Sequence, residues 1–242
     1  MLTPSSNTCL EPVTCAIVRD IPDVSVHFTR FAVTRISLDR ESIEQFDVEP
    51  MLAAARLLAQ ARVHAIVWNG TSGAWLGLEV DRALCRRIQE VTGIPATTST
   101  LAQVEAFRRH QVTRYALAVP YTASVTERIA RTYAAEGFEC VNAQHLGISE
   151  NFAFNEVPPQ QIEALVESVA TPDAQAISVV CTNFPAAPLV ARLEERTGLP
   201  IFDSAILGVW KGLELLGEQR PVPGWGRLMG AQVARGRPTA GG

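Results

Sequence analysis

No run of Lys or Arg occurs in this chain of 242 residues, and its net charge is −4. Clustered cations hold a phosphate backbone or an anionic bilayer, so neither nucleic acid nor membrane is an expected partner. No apolar run approaches the ~18 residues that span a bilayer. The N-terminus lacks the pattern of a secretory signal, since its first charges are Glu11 and Arg19. There is no CxxC. The five cysteines (Cys9, Cys15, Cys85, Cys140 and Cys181) are odd in number and stand at no metal-ligand spacing. The expectation is a reduced, cytoplasmic protein with free thiols and no metal.

What is present is a chain that is 47% hydrophobic and 19% charged, able to bury a proper core as one large domain or two small ones. Short apolar runs alternate with longer helical patterns. Residues 63–68 ("VHAIVW"), 115–119 ("YALAV") and 176–180 ("AISVV") read as buried strands. Residues 49–61, 78–91, 123–136, 159–170 and 187–197 read as helices. This alternation predicts an α/β fold with mainly parallel strands, in which sites form beyond the carboxyl ends of the strands. "VTGIPATTS" and "RTGLPIFDS" read as helix ends closed by Gly93 and Gly198, each followed by a short strand.

These segments repeat in order. "WNGTSG" and "VCTNFP" each follow an apolar strand, setting Gly70-Thr71-Ser72 opposite Cys181-Thr182-Asn183. A helix follows each, then TGIP or TGLP, then Ser99 or Ser204. "TPSSNTCLE" (3–11) matches "VPYTASVTE" (119–127) in the same way. The chain reads as two halves of one ancestral unit facing each other across a cleft, with boundaries at 1–112 and 113–217. Residues 218–242 read as an extension rich in Gly, Pro and Arg, mobile from about 230, and the last helix before it is expected to pack back on the first half. The loops "PSSNT", "GTS", "PYT" and "CTN" carry small hydroxyl and amide residues near helix N-termini. Backbone N–H groups there suit a small carboxylic acid. A thiol stands on one face only.

At these residues the sequence resembles the aspartate/glutamate racemase superfamily, and within it the maleate cis-trans isomerase and arylmalonate decarboxylase branch. "PSSNT", "GTS", "PYT", "LGI" followed by Asn151, "VPP", "CTN" and "TGLP…S" occur in family order over about residues 3–216. The resemblance implies two α/β halves related by a pseudo-twofold axis, and no metal, pyridoxal phosphate or nucleotide. In racemases and maleate isomerases each half supplies a cysteine, the two acting on opposite faces of the substrate. Here the second-half cysteine is Cys181, and the first-half position is Gly70. Arylmalonate decarboxylases share that asymmetry: one carboxylate leaves as CO2 from an apolar pocket, and the cysteine protonates the enediolate.

The candidate site is therefore Cys181 as proton donor, with Ser6, Asn7, Gly70, Thr71, Ser72, Tyr121, Thr122, Thr182 and Asn183 binding carboxylate and enediolate; Asn7 is assigned the second carboxylate. The leading expectation is decarboxylation of a malonate-type acid without a cofactor. The alternatives are an isomerase or racemase that has replaced the first cysteine, and a carboxylate-binding protein without turnover. Homo-oligomerisation is left open. Cys9, Cys15, Cys85 and Cys140 are expected to pack, and His145 to lie at the surface. Trp68 and Trp75 are expected to fill the core beside "GTS", with the wall of an apolar pocket as the other reading. Glu194-Glu195 and the pair Glu214 and Glu218 are expected on solvated helix faces. Strand 1 reaches its loop after three residues, against ~5–6 for a typical strand, and is expected to be clipped.

Overall fold

In the computed structural model, which describes residues 1–230, the first half runs β1 (Leu2–Pro4), α1 (Leu10–Val18), β2 (Thr29–Phe31), α2 (Arg40–Glu44), α3 (Val48–Gln60), β3 (Ile66–Trp68), α4 (Gly73–Leu76), α5 (Leu78–Thr92), β4 (Ala96–Thr98) and α6 (Ser99–Arg109). The second runs β5 (Arg114–Val119), α7 (Ala123–Ala134), β6 (Glu139–His145), α8 (Pro159–Val169), β7 (Ala176–Val179), α9 (Val190–Thr197), β8 (Ile201–Asp203) and α10 (Ser204–Leu215), with α11 (Arg227–Gly230) after it. All strand pairs in the two sheets are parallel. The sheet orders are β2-β1-β3-β4 and β6-β5-β7-β8, so the two halves repeat one topology strand for strand.

Local chemistry explains the boundaries. Gly93 and Gly198 end α5 and α9 at φ 71° and 74°, a left-handed turn that a side chain resists. Thr98 and Asp203 occupy equivalent ends of β4 and β8 and cap the next helix. Thr98 Oγ1 accepts from Leu101 N at 3.0 Å, and Asp203 Oδ1 accepts from Ala205 N and Ile206 N at 2.9 and 3.1 Å. The strand expected from residue 63 begins only at Ile66. β1 meets β3 through the single register pair Leu2↔Trp68, so residues 63–65 lie below the level of β1 and have no ladder on that side. The helix expected over 187–197 opens as a 3-10 turn, Ala187–Leu189, and becomes α-helical at Val190. Pro188 sits in that first turn, where its missing N–H costs nothing.

The last helix of each half covers the other half's sheet. On α6, Phe107 packs its ring against Tyr115, Phe138 and Phe202 at centroid distances of 5.0, 5.1 and 5.6 Å, and Gln103 Oε1 accepts from Ser178 Oγ of β7 at 2.7 Å. In return α10 packs on α1, β3 and β4. This exchange ties the two sheets into one core and fixes the ends of the strands relative to each other.

Glu194 departs from its expected solvated face. It is buried and bridges two segment starts, accepting from Ile201 N at 2.8 Å and from Arg227 N at 2.7 Å. Cys15 also departs, since it is exposed on α1. His145 is exposed at the end of β6, an edge strand. The tail expected from about residue 230 lies, from 231 on, outside the described residues. No helix among the described residues is long and apolar enough to cross a membrane.

Candidate active site

In each sheet the chain leaves the first strand in one direction and returns on its other side. The crevice at such a reversal, beyond the carboxyl ends of the strands, is where open α/β sheets bind ligands. In the first sheet the reversal lies between β1 and β3, whose loops are residues 5–9 and 69–72; in the second it lies between β5 and β7, whose loops are 120–122 and 180–183. All the candidate residues stand on these four loops.

Hydrogen bonds join the loops across the two halves. Thr182 Oγ1 donates to Asn69 O at 2.9 Å and accepts from Asn7 Nδ2 at 3.2 Å. Asn183 Oδ1 accepts from Thr8 N and Cys9 N at 2.9 and 3.2 Å, while its Nδ2 donates to Asn151 O at 2.6 Å. Asn151 Nδ2 in turn donates to Ser6 Oγ at 2.7 Å, and Ser6 Oγ donates to Val33 O at 2.5 Å. Asn7 Oδ1 accepts from Cys9 N and Leu10 N, at 3.1 and 2.9 Å, and so holds the start of α1. Ser6, Asn7 and Asn183 thus use most of their polar atoms in bracing loops against one another. Thr122 caps α7, its carbonyl accepting from Thr126 N at 3.0 Å, and its hydroxyl lies 3.2 Å from Ser124 Oγ.

Other groups on these loops are left to face a ligand. The backbone N–H groups of Gly70, Thr71 and Ser72 donate to no protein acceptor among the described residues. Thr71 Oγ1 and Tyr121 OH lie 2.8 Å apart, joining the first half to the second. The Tyr121 hydroxyl lies in the neighbourhood of the Cys181 thiol and favours its ionisation. Trp75 and Phe154 clasp the Tyr121 ring edge-on, both at 5.2 Å, so its hydroxyl is held in place. Thr71, bonded to Tyr121, and Cys181 beside them form a line Thr71–Tyr121–Cys181 with every member buried.

Burial pushes the Cys181 thiol up to about 12; the Tyr121 hydroxyl and the nearby N–H groups of Asn183 and Phe184 pull the other way, and the field of Asp203 adds to the rise. At neutral pH Cys181 therefore carries its proton. Burial raises Cys9 to about 12 as well, with Asp203 and Cys181 adding to the rise. Its place at the start of α1 is set by the bonds its N–H makes to Asn7 and Asn183. Burial likewise pushes Asp203 up to about 7, because only Oδ1 has hydrogen-bond partners and Oδ2 has none.

Gly70 has no room for a side chain. A Cβ built there would lie 2.0 Å from Cζ2 of the Trp68 indole and 2.5 Å from its Cε2 and Cη2. The sequence left two readings open for Trp68, and the indole in fact lies over the first-half counterpart of Cys181. Asn151, Asn69 and Asp203 were not among the candidates. Asn151 had a signal, its place after "LGI"; nothing in the pattern marked Asn69 as the carbonyl that receives Thr182, or Asp203 as an orphaned acid near the thiol.

The family model described as arylmalonate decarboxylase matches residues 10–229. An arylmalonate decarboxylase from Bordetella bronchiseptica is 29% identical over 204 residues, covering 82% of this chain and 85% of that protein. The maleate isomerase Iso of Pseudomonas putida S16, solved with maleate as a cysteine-to-alanine variant, superposes with a TM-score of 0.89 at 25% identity and covers 96% of this chain and 97% of that one. A glycine-to-cysteine, cysteine-to-serine double variant of arylmalonate decarboxylase, solved in a liganded form, superposes with a TM-score of 0.83 at 26% identity, with coverage of 94% and 96%.

Proposed function

The chain belongs to the arylmalonate decarboxylase family, an enzyme family shared here with maleate isomerases, and on that premise we propose that it decarboxylates a malonate-type acid, with Cys181 returning a proton to the α-carbon. One carboxylate is held by the N–H groups of residues 70–72 and the hydroxyls of Thr71, Ser72 and Tyr121. The other leaves as CO2. The electron pair of the broken C–C bond becomes an enediolate, and hydrogen-bond donors aimed at its oxygens stabilise it. Cys181 then gives its proton to carbon, and the resulting thiolate, held by Tyr121 and the amides of Asn183 and Phe184, is reloaded from solvent. This chemistry asks for no cofactor, only a neutral acid and fixed dipoles.

The observation that carries this reading is the pairing of a neutral buried thiol at Cys181 with a facing loop that has no side chain at Gly70. A covalent cis-trans isomerase needs a thiolate to attack the double bond, and a two-base racemase needs an acid on each face. Maleate isomerisation stays as the second reading because the maleate-bound isomerase superposes so closely over the whole chain.

Incubation with aryl- and alkylmalonates, with maleate, and with amino-acid enantiomers separates the readings by product. CO2 from a malonate supports decarboxylation. Fumarate from maleate replaces it with isomerisation. Thermal stabilisation by diacids without turnover leaves only binding. In the decarboxylation reading Tyr121→Phe removes the single O–H donor that turns to the thiolate as Cys181 gives up its proton, and the partner that orients Thr71. Its kcat is expected to fall by about 10²-fold, with KM changed far less, as measured by steady-state CO2 release.

A further inference from the structure

The two halves fill equivalent places in opposite ways. In the repeated ladders Trp68 pairs with Thr98, and Val179 pairs with Asp203. Thr98 and Asp203 cap equivalent helices, so Trp68 and Val179 occupy the same position in the two sheets. Two residues further on stand Gly70 and Cys181. One half therefore has a medium side chain followed by a thiol; the other has an indole followed by no side chain. Successive residues of an extended segment point to opposite faces, so residues two apart share one. The indole has grown into the space where a first-half thiol would begin.

That indole is held in place. Its Nε1 donates to Ser72 Oγ at 3.3 Å, and Phe31 packs on it with a centroid distance of 4.9 Å. Trp68 is fully buried. To admit a Cβ at 70, the ring would have to break its bond to the "GTS" loop and leave Phe31. No positive φ accounts for the glycine, because Gly70 is absent from the positive-φ glycines of the described residues. What a side chain there would meet is the neighbouring ring.

We propose that Trp68 is the specificity-determining residue of this site: by filling the first-half acid's position with an apolar ring fixed to Ser72, it confines proton delivery to the Cys181 face. The catalytic part of this inference rests on the proposed decarboxylation; the steric part does not. A neighbour this rigid makes the wild-type site unable to gain a second thiol by change at position 70 alone.

The test compares wild type, Gly70→Cys, Trp68→Val, and the double variant Trp68→Val/Gly70→Cys, which copies the Val179 and Cys181 pair. Cys181 is kept throughout. Gly70→Cys alone is expected to lower the melting temperature by about 3–10 °C, the scale of an overpacked core. In the Trp68→Val background the same substitution is expected to cost nothing or to raise it. Such non-additivity measures the coupling of the two positions. Should Trp68→Val prevent folding, Trp68→Leu with Gly70→Ala reads the same coupling. Additive effects overturn the proposal.

The second readout is the handedness of the acid formed from a prochiral aryl alkylmalonate, together with α-proton exchange of that acid in D2O. The double variant is expected to give a mixture of enantiomers and to exchange both. Coupling in melting temperature without second-face exchange overturns the catalytic half. If the wild type releases no CO2 from any malonate, the decarboxylation reading fails on its own, and the melting cycle still decides the steric claim.

Discussion

Cys181→Ala is expected to lower turnover of a malonate substrate by about 10²–10⁴-fold, the contribution of one positioned acid, while the protein keeps its fold. The side chain is small, and the loop around it is held by bonds from Thr182 to Asn69 and from Asn183 to Thr8, Cys9 and Asn151, none of which uses the thiol. Cys181→Ser keeps a hydroxyl in reach of Tyr121 but holds its proton far more tightly, and is expected to be nearly as impaired. Cys9→Ala is the control. Cys9 is a second buried thiol in the same electrostatic neighbourhood, but nothing ties its Sγ to the Thr71–Tyr121 line. Full activity of Cys181→Ala, with loss of activity in Cys9→Ala, would move the proton donor to α1.

Stability is expected to fall as pH rises from about 4 to about 7, and Asp203→Asn is expected to remove part of that fall. Burial raises the carboxyls of Asp81 and Asp203 to about 7, well above an unfolded aspartate. Between the unfolded and folded values the native state binds protons that the unfolded chain does not, so the stabilisation is complete below about 4 and is lost as pH rises through 7. Each group accounts for roughly 4 kcal/mol across that window. Asparagine also caps helices well, so Asp203→Asn keeps the bonds to Ala205 N and Ile206 N without a charge to bury. Thr98 shows in the first half that this cap needs no charge. Urea midpoints at pH 4.5, 6 and 8 check this: the variant should match wild type at the lowest pH and exceed it at the highest. Parallel profiles would mean that Asp203 is not the titrating group.

Three of the four candidate-site loops were legible in the sequence because each is a polar cluster after an apolar run, and the run sets the strand end by itself; the first, after a strand of three residues, was legible only through the repeat and the family order. Gly93 and Gly198 were legible because a left-handed helix end leaves glycine few substitutes. The repeat was legible as order, and it reappears as the sheet orders β2-β1-β3-β4 and β6-β5-β7-β8. The exchange of α6 and α10 was only half legible. An apolar helix face says that it is covered, not by which sheet, and Phe107 meets Tyr115 and Phe202 only because the chain crosses between the halves. The amide side chains show a related point. Asn7 and Asn183 stand in a row of polar letters as carboxylate binders, and nothing in that row says that their oxygens also accept from the first N–H groups around α1. Glu194 looks solvated beside Glu195 until Ile201 and Arg227 come to it from elsewhere in the chain. The contact of Trp68 with Gly70 needs a rotamer, and no spacing of letters fixes one.

The most direct test of one-sided proton delivery is the product formed from a prochiral aryl alkylmalonate in D2O. Chiral chromatography and NMR would read the enantiomer and the deuterium content together. Delivery from Cys181 to one face predicts CO2 release, one deuterium at the α-carbon and a single enantiomer. Racemic product, or fumarate formed from maleate where no malonate is consumed, would contradict it.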